Sequence, residues 1–299
     1  MARIAATAAL VAALLALSAP VASAQGESGS HTETRTAGTV TATLTYTLRG
    51  YAEARDVRLV ITRAGVPATV ADGGDVAANC KFCRGAAPVG GLSAANGGEP
   101  VSSLTLADLT GDGDPEVIVD LFTGGAHCCS VSVIYGWDAQ ANAYRRLNQL
   151  WGDPGYSLAT LPGGPGQELV SADDRFAYAF CAYVCSAMPA QIFRYQDFRL
   201  VDVTRQYPKR IRADLRALRG TLRTARRHRG EGWTIKGVLP AVCADLYLLD
   251  RGAQCRRELH RALRRGDLRK RPGDISEHHG RAYIRAVLTF LAKTGYRGS

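Results

Sequence analysis

The chain has 299 residues, of which 46% are hydrophobic, and its 37 Lys plus Arg against 27 Asp plus Glu give a formal net charge of +10. After the first two dozen residues no stretch approaches the roughly 18 apolar residues of a spanning helix, which excludes an integral helical membrane protein. The charge is uneven: 23 of the basic residues and 8 of the acidic ones fall between Pro208 and Ser299, so a basic C-terminal part follows an acidic one.

Residues 1–24 carry one charge, Arg3, then an Ala, Leu and Val-rich run, and end in Ala22, Ser23, Ala24. This is the pattern of a secretory signal cut before Gln25, and it sets the expectation of a secreted, extracellular protein with no transmembrane segment after cleavage. Residues 25–37 are rich in Gly, Ser, Thr and Glu and read as a disordered leader. From Gly38 the pattern turns to β: Val40, Ala42, Leu44, Tyr46 and Leu48 alternate with threonines, and residues 57–62 read as the hairpin partner. The glycine-rich stretches at 72–75 and 90–98 mark loops around Cys80 and Cys83.

Between 108 and 116 the chain reads Asp108, Leu109, Thr110, Gly111, Asp112, Gly113, Asp114, Pro115, Glu116. Ca²⁺ takes six to eight oxygen ligands at about 2.3–2.6 Å, and a curled loop offering an oxygen at every second residue supplies most of them. Asp108, Thr110, Asp112 and Glu116 offer side-chain oxygens, Asp114 its main-chain carbonyl, and Gly111 and Gly113 permit the positive φ that curling needs. An EF-hand is excluded, because loop position twelve is Val119 and residues 117–122 form a β-branched strand run rather than a helix. A metal-free Asp-Gly hairpin turn is the alternative, but crowded carboxylates repel one another without a cation.

The eight cysteines fall as four local pairs, Cys80 with Cys83, Cys128 with Cys129, Cys181 with Cys185 and Cys243 with Cys255, which in an exported chain reads as a disulfide framework. Zinc at Cys80 and Cys83 is the competing reading, and no second matched pair supports it. A weak internal repeat runs through the same region: Cys128 and Cys181, like Asp120 and Asp173, are offset by 53 residues. In the second copy a Pro-Gly loop at 162–166 replaces the acidic residues, so that copy is expected to lack calcium. Repeats of this period indicate stacked four-stranded β units. If neighbouring units pack in register, the Cys128/Cys129 pair bonds to the Cys181/Cys185 pair.

From Pro208 the signals are helical. Ile211, Leu215, Leu218 and Leu222 recur at three- and four-residue steps among arginines; residues 238–249 and 254–263 form a helical hairpin stapled through Cys243 and Cys255; and residues 279–293 make a last helix closed by Gly295. The expected organisation is therefore β plus α, with propeller-blade-like antiparallel repeats over 38–205 and a basic helical domain over 206–299.

Residues 106–122 resemble the FG-GAP repeat of integrins and the VCBS-repeat proteins of bacterial surfaces. Asp108, Thr110, Asp112, Gly113 and Glu116 stand at that motif's calcium positions, with Thr110 where Asn or Asp is usual and Glu116 where Asp is usual. The resemblance implies a calcium-rigidified blade and a role in adhesion or binding of a protein or polysaccharide surface ligand, without catalysis. Two alternatives come from the residues themselves. A secreted hydrolase would place its site near Asp120, Gly124, Gly125 and His127, although no nucleophile elbow, zinc helix or phosphate loop occurs. A polyanion-binding protein would use the Arg-rich C-terminal half against an anionic polymer.

Overall fold

Strand β2 (Val40–Arg49) buries Val40, Ala42, Leu44, Tyr46 and Leu48 on one face and leaves its threonines half-exposed on the other, as alternation dictates. It pairs with β3 (Glu53–Arg63), which continues to β4 (Val66–Asp72), all antiparallel. A computed structural model of the chain describes residues 29–49, 53–72, 86–89, 102–125, 128–227, 232–271, 274 and 276–297.

The leader expectation is overturned for 29–37. Those residues form β1 (Gly29–Ala37), the edge strand of this first sheet, paired along β2 from Gly29↔Leu48 to Ala37↔Val40. Its sequence has almost no apolar residues because its order comes from main-chain bonding and cross-strand pairs. The Thr34 and Thr36 hydroxyls meet those of Thr43 and Thr41 at 3.1 and 2.9 Å, and His31 stacks on Tyr46 with ring centroids 5.0 Å apart.

The second sheet runs β6 (Leu104–Ala107), β7 (Glu116–Gly125), β8 (Cys128–Asp138), β9 (Ala143–Gly152), with the short β5 (Ala87–Pro88) pairing the far end of β7. Val117, Val119, Leu121, Val131, Val133 and Tyr135 pack on the first sheet, while Ile118 and Ile134 face the third with Leu109, Trp151, Leu169 and Tyr195. A sheet covered on both faces needs apolar residues in succession, which is why residues 117–119 form an unbroken β-branched run. The third sheet is again a four-stranded meander: β10 (Ser157–Thr160), β11 (Gln167–Ala172), β12 (Ala190–Gln196), β13 (Arg199–Asp202). Its outer face buries Leu161, Ile192, Val203 and Tyr207. Three antiparallel sheets thus stand in an open row and do not close into a propeller.

Four helices follow: α1 (Pro208–Arg227), α2 (Gly232–Leu248), α3 (Gly252–Arg265) and α4 (Gly280–Lys293). The expected apolar stripe of α1, from Ile211 to Leu222, is buried. Helix α2 is buried nearly all round because it is the centre of the bundle, with Ile235, Val238, Leu239, Val242 and Leu246 in one core and Lys236 and Asp245 as buried ionisable groups. Gly237 lets it approach the preceding β region closely; a Cβ there would lie 1.9 Å from the Cys185 carbonyl oxygen.

The two halves share side chains. Phe176 and Phe180, from the segment between β11 and β12, sit in the helical core edge-on to Phe290. The Tyr296 hydroxyl donates to Asp173 at 2.9 Å, and Asp214 on α1 accepts the Ala190 amide at 3.0 Å.

The cysteine pairing expected between repeats is corrected by the same segment. Cys181 bonds to Cys185, with Cα atoms 5.7 Å apart, in the excursion that packs on α2, not in a strand equivalent to β8. The Cys243–Cys255 staple joins α2 to α3 as expected, with Cα atoms 4.8 Å apart. Cys129 is also disulfide-bonded. Cys80, Cys83 and the signal-like residues 1–24 lie outside the described residues.

Candidate functional site

The acidic loop joins β6 to β7 at the seam between the second and third sheets. Gly111 and Gly113 take φ of +78° and +83°, the curled backbone the spacing requires. Gly111 is also pressed against the neighbouring sheet, since a Cβ there would lie 1.8 Å from the Pro165 carbonyl oxygen. The Asp108 carbonyl accepts the Gln167 amide at 2.9 Å, a second tie between the two hairpins.

The loop's carboxylates turn onto their own backbone. Asp108 accepts the amides of Gly111 and Gly113 at 2.6 and 3.0 Å, and Asp112 accepts that of Asp114 at 2.9 Å. Asp114, expected to offer its main-chain oxygen, uses its side chain for a 2.6 Å ion pair with Arg63 on β3, which ties the loop to the first sheet. Among the described residues no three His, Cys, Asp or Glu side chains converge closely enough to hold a metal ion as they stand. Two groups are left uncompensated. The Thr110 hydroxyl is buried with no hydrogen-bond partner. Glu116 is 6% exposed, and its carboxylate meets only backbone amides, that of Leu109 at 2.9 Å and its own. Burial, reinforced by the charges of Asp112 and Asp108, pushes the Glu116 carboxyl up from 4.5 to about 7.

The next hairpin repeats this geometry. Leu106 pairs with Val117 and Ala107 with Glu116, as Leu158 pairs with Leu169 and Ala159 with Glu168, so eight residues separate the equivalent pairs in both, although in the second Thr160 also pairs with Gln167. The equivalence is therefore an offset of 52 rather than 53, and it superposes Leu109 on Leu161, both buried, and Gly111 on Gly163, both at positive φ. It also superposes Glu116 on Glu168. Glu168 is buried, but its Oε1 accepts both Nε and Nη2 of Arg194, at 3.0 and 2.7 Å, and the Tyr207 hydroxyl at 2.6 Å. Extending the strand registers by one residue sets Arg194 across from Glu168 and Gly136 across from Glu116. No side chain fits at Gly136, where a Cβ would lie 2.3 Å from the Tyr195 hydroxyl oxygen, itself buried without a partner. One glutamate has an arginine; its counterpart has none and carries the acidic loop instead. The pairing of Glu168 with Arg194 and Tyr207 was not foreseen from sequence, because partners 26 and 39 residues apart leave no local pattern.

Asp120, proposed as part of a hydrolase site, is occupied. Its two oxygens accept the hydroxyls of Ser132 at 2.5 Å and Tyr156 at 3.0 Å, and Trp151 Nε1 donates to Ser132 at 2.7 Å. Burial pushes its carboxyl up to about 6. The network ties β7 and β8 to β9 and to the segment entering β10. His127 lies outside the described residues, so the histidine of that reading has no placement. A cavity of about 300 Å³ lies nearby, lined by Trp151, Phe193, Ser171, Asp174, Arg175 and Gln191, and Asp120 does not line it.

In the basic half, a cleft of about 170 Å³ separates α1 from α3. Arg219 and Arg226 pair with Glu258 and Asp267, whereas Arg223, Arg261 and Arg265 line the same cleft with no acidic partner among the described residues.

No family model matches the chain, and no solved structure matches it. A 108-residue stretch is 32% identical to a probable thylakoid lumen protein of Synechocystis, covering 35% of this chain and 32% of that protein. A 95-residue stretch is 36% identical to an uncharacterised protein of Sinorhizobium fredii, covering 30% of this chain and 14% of that one. The matched stretch thus spans a third or less of the length of each of these relatives.

Proposed function

We propose that the protein is an extracytoplasmic, non-catalytic binding or surface protein whose row of sheets is locked by a calcium ion at the Asp108–Glu116 loop. The observation that carries this reading is the contrast between Glu168, neutralised by Arg194, and its counterpart Glu116, which faces Gly136 and pairs with no cation among the described residues. A buried carboxylate is tolerated when it is paired or coordinates a metal. Asp108, Asp112 and Glu116 supply carboxylates, Thr110 its unpartnered hydroxyl and Asp114 a carbonyl, a hard-oxygen set suited to Ca²⁺. Binding requires Asp108 and Asp112 to turn from their own loop amides toward the ion. The bound ion supplies charge neutralisation at the seam between the second and third sheets; the chain's own residues supply the curl, the burial and the contact with Pro165.

Disulfides within the described residues support an oxidising compartment. The printed description of one relative as a thylakoid lumen protein agrees with that. The test is calorimetric and thermal: the purified protein takes up calcium and melts higher with millimolar Ca²⁺ than with chelator, and Asp112→Ala does neither. Equal melting of the wild type under both conditions overturns the reading.

A second reading rests on the three unmatched arginines of the α1/α3 cleft, which suit an anionic polymer. Heparin retention that falls steeply with salt, and falls further in Arg223→Gln/Arg261→Gln, is its expected result. Salt-independent retention refutes it.

A further inference from the structure

Lys236 is a nucleophile that no part of the proposed function uses, and its burial is complete. It lies on the face of α2 turned toward the start of α4, with no side-chain exposure, and its partner Asp274 has 2%. The Lys236 Nζ contacts Asp274 Oδ2 and lies 2.8 Å from His279 Nδ1. The other carboxyl oxygen, Asp274 Oδ1, accepts the Ser276 amide at 3.1 Å. Tyr283, fully buried, donates its hydroxyl to the Lys236 carbonyl at 2.5 Å and belongs to the same apolar core as Ile235, Leu239 and Leu268.

Counting donors and acceptors separates two states of this pair. An ammonium has three N–H donors, and among the described residues Nζ has two acceptors, Asp274 Oδ2 and His279 Nδ1. A buried charge pair with an unmatched donor is costly, because desolvation of both ions must be recovered through complete hydrogen bonding. A secondary amide linking the same two side chains has one N–H and one C=O. The N–H has its acceptor in His279 Nδ1, and the C=O has its donor in the Ser276 amide. Every polar group of the amide is matched by partners already in place, and no buried charge remains.

From this complementarity we propose that Lys236 and Asp274 become joined by an intramolecular isopeptide bond between Nζ and Cγ. The step is a condensation. Nζ gives up one proton to become the amine that attacks Cγ and a second as the tetrahedral adduct collapses; both are delivered to Oδ2, the Cγ–Oδ2 bond breaks, and Oδ2 leaves as water, so no oxidant, reductant or activating co-reactant is consumed. The His279 ring is placed to carry the proton, with Nδ1 2.8 Å from Nζ and 3.7 Å from Oδ2. Burial and the neighbouring Lys236 charge hold that imidazole below its ordinary value, so it is an acceptor at neutral pH. The His279 side chain is 26% exposed, which gives the released water a way out. The bond fastens the central helix to the segment leading into α4, as Cys243–Cys255 fastens it to α3, and unlike that disulfide it resists reduction.

The experiment is peptide mass spectrometry on the purified, reduced protein. Trypsin cannot cut between Arg271 and Pro272, and a linked Lys236 is no longer a cleavage site. The expected product is one branched peptide joining residues 230–251 to 271–281, lighter than the two by one water. Lys236→Met and Asp274→Ala each yield linear peptides without it. His279→Ala, denatured and refolded, accumulates unlinked chain that the wild type does not. Cleavage after Lys236 in the wild type, with residues 271–281 recovered at full mass, overturns the proposal whatever the variants do. A His279→Ala chain that links as fast as the wild type overturns the imidazole's part in the step.

Discussion

Substituting Glu116 by Gln separates a desolvated acid from a metal ligand. In the metal-free protein, burial raises this carboxyl from 4.5 to about 7. A shift of that size corresponds to about 3 kcal/mol of cost for holding the ionised form inside, at about 1.4 kcal/mol per unit. The sign follows from the raised value. An unfolded Glu loses its proton above about 4.5 while the folded one keeps it to about 7, so the folded state loses stability as pH rises across that interval and regains none above it. Gln keeps an oxygen for the Leu109 amide and carries no charge. Without metal at pH 8 the Glu116→Gln protein should therefore be more stable than the wild type by up to about 3 kcal/mol. With calcium the order changes: the wild type gains about 1.4 kcal/mol for each tenfold excess of ion over its dissociation constant, and the variant gains little. Because the ion must displace the Glu116 proton, the wild-type gain should be larger at pH 8 than at pH 6. Chemical denaturation at both pH values, with calcium and with chelator, measures all four quantities. A metal-free variant less stable than the wild type at pH 8, or a calcium gain equal in both proteins, refutes the reasoning.

Three further outcomes follow from packing and charge. Gly111→Ala, which forces a Cβ into the Pro165 carbonyl at a φ of +78°, should cost roughly 3 kcal/mol and remove the calcium response, read by denaturant melts. Arg194→Met leaves Glu168 buried without its cation and should cost about 3–5 kcal/mol independently of calcium, with Glu168→Gln added in the same chain recovering part of it. Asp245 on α2 is pushed up to about 9 by burial and by the adjacent Asp214 charge, so it stays protonated in the folded state while the unfolded chain ionises above about 4. Stability should fall as pH rises between those values, and Asp245→Asn should flatten that fall by roughly 2–4 kcal/mol at pH 8; a variant with the wild-type pH profile contradicts it.

What the sequence disclosed depended on how local the signal was. The alternation of β2, the β-branched run of β7, the glycine-curled loop and the stripe of α1 are written within ten or twenty residues, and each forms where the pattern places it. Strand β1 was not legible, because His31, Glu33 and the threonines contribute main-chain bonds and cross-strand hydroxyl contacts rather than apolar surface. The offset of 53 caught the repeat but misassigned its cysteines: Cys181 and Cys185 lie in an excursion between β11 and β12 that belongs to the helical core. The true offset of 52 is carried by Leu109 with Leu161 and by Glu116 with Glu168, positions whose kinship shows only when strand register is known. The disulfide between α2 and α3 was legible because a helical hairpin brings residues 243 and 255 together by local geometry alone.

The open row of sheets raises the question of what replaces the mutual covering that ring closure gives a propeller. On the far side of the third sheet the answer is the helical half, reached through Tyr207 and the inserted Phe176 and Phe180. On the near side the first sheet turns threonines and arginines to solvent, and its core face alone is apolar. At the junctions, acids meet cations. Arg63 holds Asp114 between the first and second sheets, and Arg194 holds Glu168 where the third sheet meets the segment leading to α1. The middle junction has the densest acids, Asp108, Asp112 and Glu116, and among the described residues no basic side chain pairs with Glu116. On the proposed reading that position is left to the calcium ion, and the strength of the clamp then follows the calcium level around the protein. The middle seam is accordingly expected to be the first to open when calcium is withdrawn, and hydrogen exchange should show faster exchange in β6, β7, β10 and β11 than in β2 or α2 under chelation. Uniform protection across all three sheets with and without the ion would contradict that order.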